Sequence, residues 1–295
     1  MSTLDVPGAR LHYQVRGNGP LFVMVPASGG DGDIFDAVAD ELASRYRVAT
    51  YDRRGFSRSR LHGRQDYARR LATDADDVSH LVEHLADGPA TIFGNSSGAV
   101  VALEVHVRHP DVVATTIAHE PPAVRLLPDG EEWVSFFEEV YDLYRAAGIH
   151  VALEHFANRI AHGSEIDMMQ KAMDPNNGSK VAANVTYWFE RELRQYTKVL
   201  PDVEALARGA DRLVLVGGRE SKQQVCYRPN EVLGARFGLE VVDLPGGHVG
   251  FLTHPGEFAR ELLLALDRGT RPSPEVAGAS THVLHHDQLK NGGTK

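Results

Sequence analysis

Residues 90–108 read ATIFGNSSGAVVALEVHVR: a short apolar run, a Gly-Asn-Ser-Ser-Gly turn, then apolar residues at helical spacing. The first part predicts a buried strand over 90–94 and the last a helix over 97–108. A chain that passes from strand to helix within so few residues must turn sharply, and small residues two places either side of the corner let the two elements approach. Gly94 and Gly98 meet that need around Ser96. The corner residue is forced into a strained conformation, and its hydroxyl stands at a helix N-terminus, where partial positive charge favours a developing anion. Ser96 is thereby a candidate nucleophile. Ser97 falls one place off the glycine spacing. The plainer alternative is that Ser96 merely caps helix 97–108.

Outward from this corner, short apolar runs alternate with amphipathic helical stretches. Strands are expected at 11–15, 21–25, 46–52, 112–118, 212–216 and 239–244, and helices at 34–44, 67–85, 223–236 and 255–267. This alternation predicts an α/β class with a mainly parallel sheet covered by helices. Between about 121 and 209 the rhythm stops: aromatic residues recur at helical spacing over 131–147 and 179–200, and no strand is evident. The expected organisation is a first core part over 1–122, an inserted helical cap or lid over 123–209, a second core part over 210–270, and a tail over 271–295 rich in Pro, Ser, Thr and Gly that is expected to be disordered.

A serine hydroxyl needs a base to take its proton and an acid to orient that base. Of the 15 histidines, His248 in LPGGHVGF follows the last expected strand, and Gly246 and Gly247 let its loop bend back over the sheet edge. His254 precedes a proline and reads as a helix-start residue. Two carboxylates suit the third role. Glu220, in VGGRES, follows strand 212–216. Glu120, in AHEPP, ends the strand expected beside the nucleophile strand, with Pro121 and Pro122 stiffening its backbone. The residues themselves leave both open.

The net charge of −9 and the lack of a basic stripe argue against a nucleic-acid partner. With one cysteine, Cys226, no intrachain disulfide can form, which suits a reducing compartment. The first residues lack the pattern of a signal peptide, and the apolar runs are too short to span a bilayer. A cytoplasmic protein without a membrane partner is expected, as monomer or homodimer. The cluster THVLHHD at 281–287 matches no closed zinc pattern, so no metal and no cofactor are expected.

GNSSG at 94–98, DRRGFSRS at 52–59 and GGHVGF at 246–251 resemble the α/β-hydrolase superfamily over about residues 10–268. The resemblance implies an eight-stranded, mostly parallel sheet with a helical lid. It implies a structural role for DRRGFSRS, in which Ser57 replaces a usual glycine. It also implies an oxyanion hole of backbone N–H groups, from Ser97 and from Ser28 or Ala27, although Pro26 and Ala27 stand where many members have His-Gly. VPASGGDGDIFD at 25–36 and the His-Glu pair at 119–120 look like the branch containing the fungal zearalenone lactonases. There the acid is a glutamate at the position of Glu120. That likeness implies a serine hydrolase acting on an ester or lactone through a Ser-His-Glu triad. An aromatic-rich insertion suits a hydrophobic small molecule, with Trp133, Phe137, Tyr141, Trp188 and Phe189 as candidate pocket residues. C–C bond hydrolysis or other cofactor-free chemistry on the same triad is the alternative. A non-catalytic small-molecule receptor on the same scaffold is the alternative of another class.

Overall fold

A computed structural model describes residues 2–269; the tail segment from 271 and its THVLHHD cluster lie outside them. The sheet begins with an antiparallel pair, β1 (Ser2–Val6) and β2 (Ala9–Arg16). β3 (Leu21–Val25), β4 (Arg47–Tyr51), β6 (Ala90–Asn95), β7 (Val113–His119), β8 (Leu213–Gly218) and β9 (Val241–Leu244) complete the path, with β5 (Arg60–Leu61) pairing on β2. The order is β1-β2-β4-β3-β6-β7-β8-β9, parallel from β4 through to β9. The eight-stranded, mostly parallel sheet expected from the sequence is therefore present, six of its strands parallel and β1 and β2 antiparallel, with β5 as a two-residue addition.

β3 and β6 are buried at every residue because helices cover both faces of the sheet. On one face, α2 (Arg70–Leu85) and α3 (Ser97–Arg108) place Leu71, Val78, Leu81, Val101 and Val105 against the strands. On the other, α1 (Asp36–Leu42) and α12 (Pro255–Gly269) contribute Val38, Leu42, Phe258 and Leu262. Each such side chain stabilises the fold by roughly 1.5–3 kcal/mol before chain entropy is charged against it. Among the described residues no helix is long and apolar enough to cross a membrane.

Between β7 and β8 the chain is helical: α4 (Gly130–Ala147), α5 (Ile149–Ile160), α6 (Ser164–Ala172), α7 (Ser179–Arg191), α8 (Leu193–Tyr196) and α9 (Val203–Arg208). Gly148, at φ 88°, ends α4. The stretch 179–200, read from its periodicity as one helix, breaks at Glu192, whose backbone leaves helical geometry (φ −132°, ψ −49°). β8 then leads to α10 (Arg228–Phe237), and a short α11 (Gly250–Thr253) precedes α12.

The break at Glu192 has a physical cause in view. Its fully buried carboxylate accepts a hydrogen bond from Arg53 Nη2 at 2.8 Å. Arg53 also donates to Asp74 at 3.2 Å and to the carbonyl of Ala27 at 2.7 Å. Tyr196 donates to the same Asp74 at 2.6 Å. The DRRG segment thus ties the helical segment, α2 and the loop after β3 into one buried polar cluster. At its other end α7 meets the core through Lys180, 2.7 Å from Asp31, and Asn184, which exchanges hydrogen bonds with the backbone and hydroxyl of Ser57. Removing one partner of a buried ion pair leaves the other charged and unsolvated, a cost of about 3–5 kcal/mol. Glu192→Ala is expected to lower unfolding free energy by about that amount in chemical denaturation, whereas Lys180→Ala, at a half-exposed pair, is expected to cost under about 1 kcal/mol.

Candidate active site

Gly94 and Gly98 hold the corner. A Cβ on Gly94 would run into the backbone of Gly98, and a Cβ on Gly98 into the carbonyl of Val25 on β3. With both absent, α3 starts directly after β6, and Ser96 sits between them at φ 55°, ψ −123°. For a residue with a side chain this is a strained conformation costing about 1–3 kcal/mol, and such residues cluster at functional sites. The Ser96 N–H donates to the carbonyl of His119 at 2.9 Å, which anchors the corner to the end of β7.

Glu120 follows β7 and is itself at positive φ, 51°. This turns its carboxylate across the ends of β7 and β8. Oε1 accepts from the Gly218 N–H at 2.7 Å and from the Ser221 hydroxyl. Oε2 meets His248 Nδ1 at 2.6 Å. Burial alone would raise the Glu120 pKa, but the hydrogen bond and charge of His248, with help from Ser221, hold it down at about 2. Burial alone would lower that of His248, yet the Glu120 carboxylate raises it. The pair is arranged to stabilise an imidazolium. Glu220 lies elsewhere: it is exposed, and its backbone N–H donates to Gly246. Of the two carboxylates left open by the residues, the fold brings Glu120 to the histidine.

The His248 loop is held at three points. Besides the Glu120 bond, the Asn95 amide donates to the His248 carbonyl at 3.1 Å and to His119 Nδ1 at 2.7 Å. The third is the carboxylate of Glu165 on α6, which accepts from the backbone N–H of His248 at 3.1 Å and of Val249 at 3.0 Å. Sequence reasoning missed Asn95, Ser221 and Glu165. Asn95 lies inside the quoted pentapeptide, but an x position carries no signal of its own, and Glu165 reads as an ordinary acidic residue in the first turn of a helix.

Ser96, Ser97 and His248 line a cavity of about 290 Å³, together with the loop 26–30 that contains Ala27 and Ser28. That loop is closed by a hydrogen bond from Gly30 N–H to the Ala27 carbonyl at 2.9 Å. Ser97 is the first residue of α3, where backbone N–H groups have no partner within the helix. The helical segment supplies much of the apolar wall, including Phe137, Phe156, Met168 and Trp188. Trp133, Tyr141 and Phe189 are not part of that wall. Trp133 packs on Phe136 and Arg159, Tyr141 on Tyr144 and Arg194, and Phe189 stacks on Tyr144. Helical spacing marks which aromatic residues are inward but not whether they face a cavity or a neighbouring helix. Among the described residues no group of three or more His, Cys, Asp or Glu side chains is placed to hold a metal ion.

Residues 22–261 match the model of the alpha/beta hydrolase family, and the chain belongs to that family. It is 36% identical over 266 residues to the hydrolase YraK of Bacillus subtilis (strain 168), covering 88% of this chain and 93% of the relative. It is also similar to a zearalenone hydrolase of Bionectria ochroleuca, at 28% identity over 277 residues, 88% of this chain and 95% of that one. Among solved structures, a thermophilic esterase from Thermogutta terrifontis superposes with a TM-score of 0.71 at 17% identity, over 91% of this chain and 99% of that one.

Replacing Glu120 by Gln removes the charge that raises the His248 pKa and leaves one accepting oxygen where the carboxylate uses two. For hydrolysis, kcat/KM is expected to fall by about 10²–10⁴-fold for Glu120→Gln. The acidic limb of its pH profile should move to lower pH, since burial, which favours the neutral imidazole, is then less opposed. Glu220→Gln is expected to leave both the rate and the limb in place; comparing the two pH profiles checks the assignment.

Proposed function

We propose that this chain is a serine hydrolase that cleaves an ester or lactone of a hydrophobic small molecule through Ser96, His248 and Glu120. The observation that carries the reading is the 2.6 Å contact of Glu120 with His248 Nδ1, beside a serine held at positive φ and on the wall of the same apolar cavity. His248 takes the Ser96 proton through its other ring nitrogen as Oγ attacks the carbonyl carbon. Glu120 keeps the proton on Nδ1 and stabilises the imidazolium. The N–H of Ser97, with that of Ser28 or Ala27, bonds the oxyanion. His248 then passes its proton to the leaving alkoxide, and a water that it deprotonates releases the acid.

The helical segment 123–209 acts in this reading as a cap, with Phe137 and Trp188 as substrate contacts. The cavity lies near the lower end of the range for ligand pockets, which suits a compact molecule with little charge. Similarity to a zearalenone hydrolase supports testing aromatic lactones beside simple esters.

A fluorophosphonate probe is expected to label the wild type at one site and to leave Ser96→Ala unlabelled. Turnover of p-nitrophenyl esters or aromatic lactones should fall by about 10³-fold or more in that variant. Equal labelling of Ser96→Ala would remove Ser96 from the role. Saturable binding of such molecules without turnover by the wild type would favour a receptor.

A further inference from the structure

The groups that touch the reacting atoms in this reading all come from the core, yet one buried charge near them comes from the helical segment. Glu165 is 8% exposed. Its two oxygens accept one backbone N–H each from two consecutive residues, His248 and Val249. The fit is close on the loop side as well, since a Cβ on Gly247 would lie 2.6–2.9 Å from the Glu165 carboxylate. Burying a carboxylate costs several kcal/mol unless hydrogen bonds replace its water, so the loop amides and the carboxylate depend on each other.

Glu165 also shares a helix face with the cavity wall. Met168, Met169, Ala172 and Met173 line the cavity. They follow Glu165 at i+3, i+4, i+7 and i+8, the spacing of one side of an α-helix. The same short element therefore touches the space for the substrate and the backbone of the base.

We propose that Glu165 is a positioning residue, a latch through which α6 couples the seating of substrate under the cap to the placement of the His248 ring. The proposal rests on the hydrolase reading for its kinetic consequences, but the latch itself is a statement about the His248 loop. Among the described residues, the charged or titratable groups in contact with the His248 ring or its backbone are Glu120 and His119 from the end of β7 and Glu165 from α6. His119 is held neutral by burial, which lowers its pKa to about 4, so the two carboxylates supply the local field. Against the burial that lowers it, the charge of Glu165 adds to that of Glu120 in raising the His248 pKa.

Glu165→Gln keeps the shape, removes the charge and turns an amide N–H₂ toward one of the loop N–H groups. Rates are taken per site, counted by end-point fluorophosphonate labelling, which removes any loss due to misfolded protein. For a short p-nitrophenyl ester, kcat is expected to fall by about 10–100-fold with KM changed by less than about threefold. The acidic limb of kcat/KM and the NMR titration of the His248 ring should both move to lower pH, and Glu165→Asp, which keeps the charge, should restore part of that movement. Gly247→Ala is expected to be costly in the wild type and cheaper in Glu165→Ala, because the two occupy the same space. A role confined to stability would lower Tm yet leave the per-site kcat and the limb unchanged. That result, or an equal cost of Gly247→Ala in both backgrounds, overturns the latch. Failure of the wild type to label would instead refute the hydrolase reading; the NMR titration and the Gly247 comparison would still decide the latch.

Discussion

The approach of three backbones at one point governs this molecule. β6, the start of α3 and the end of β3 meet so closely that neither Gly94 nor Gly98 has room for a Cβ. The chain between them has one way through, which puts Ser96 at positive φ and turns its N–H to the end of β7. The strain at Ser96 is small beside the burial of the surrounding strands, and the surroundings leave it no route of relief. Where β7 must end, and therefore where Glu120 begins its turn toward β8, follows from the same meeting point.

A second principle appears at His248. The loop carrying it is rich in glycine and would be mobile if left alone. Its order comes from contacts made by three elements remote in sequence: Asn95 at the end of β6, Glu120 after β7, and Glu165 in the helical segment. Two of these bind backbone rather than side chain. A ring whose Nδ1 is bonded can still swing with its backbone, so gripping the chain on both sides of the residue restricts what a single side-chain contact leaves free.

Much of this was legible in the chain because the corner is a local feature. Helix 97–108 was read to its ends, and His248 could be chosen from many histidines by its place after the last strand and its glycines. β1 escaped notice because STLDV is short, at the sheet edge and largely exposed, so its side chains carry little apolar pattern. Glu120 and Glu220 looked alike, as each follows a strand that opens on the same edge. The difference lies in a positive φ and in three partners far away in sequence. The helix break at Glu192 and the partnership of Glu165 were hidden for the same reason: each depends on a partner more than 80 positions away. The aromatic residues of the insertion show the converse. Their periodicity locates the helices, and the choice between cavity and helix–helix contact is made by packing angles that periodicity does not encode.

The two ends of α7 are fastened to the core by different kinds of charge. Near its start, Lys180 meets Asp31 with the lysine half exposed, at the edge of the cavity that Asp31 helps line. Just beyond its other end, Glu192 meets Arg53 with both side chains out of reach of solvent. Dissolved ions screen an exposed pair over a Debye length of about 8 Å at physiological salt and leave a buried pair almost untouched. Ionic strength therefore acts on this helix from one side, weakening the attachment at the cavity edge while the inner attachment holds. The outer end of α7 becomes the salt-responsive one.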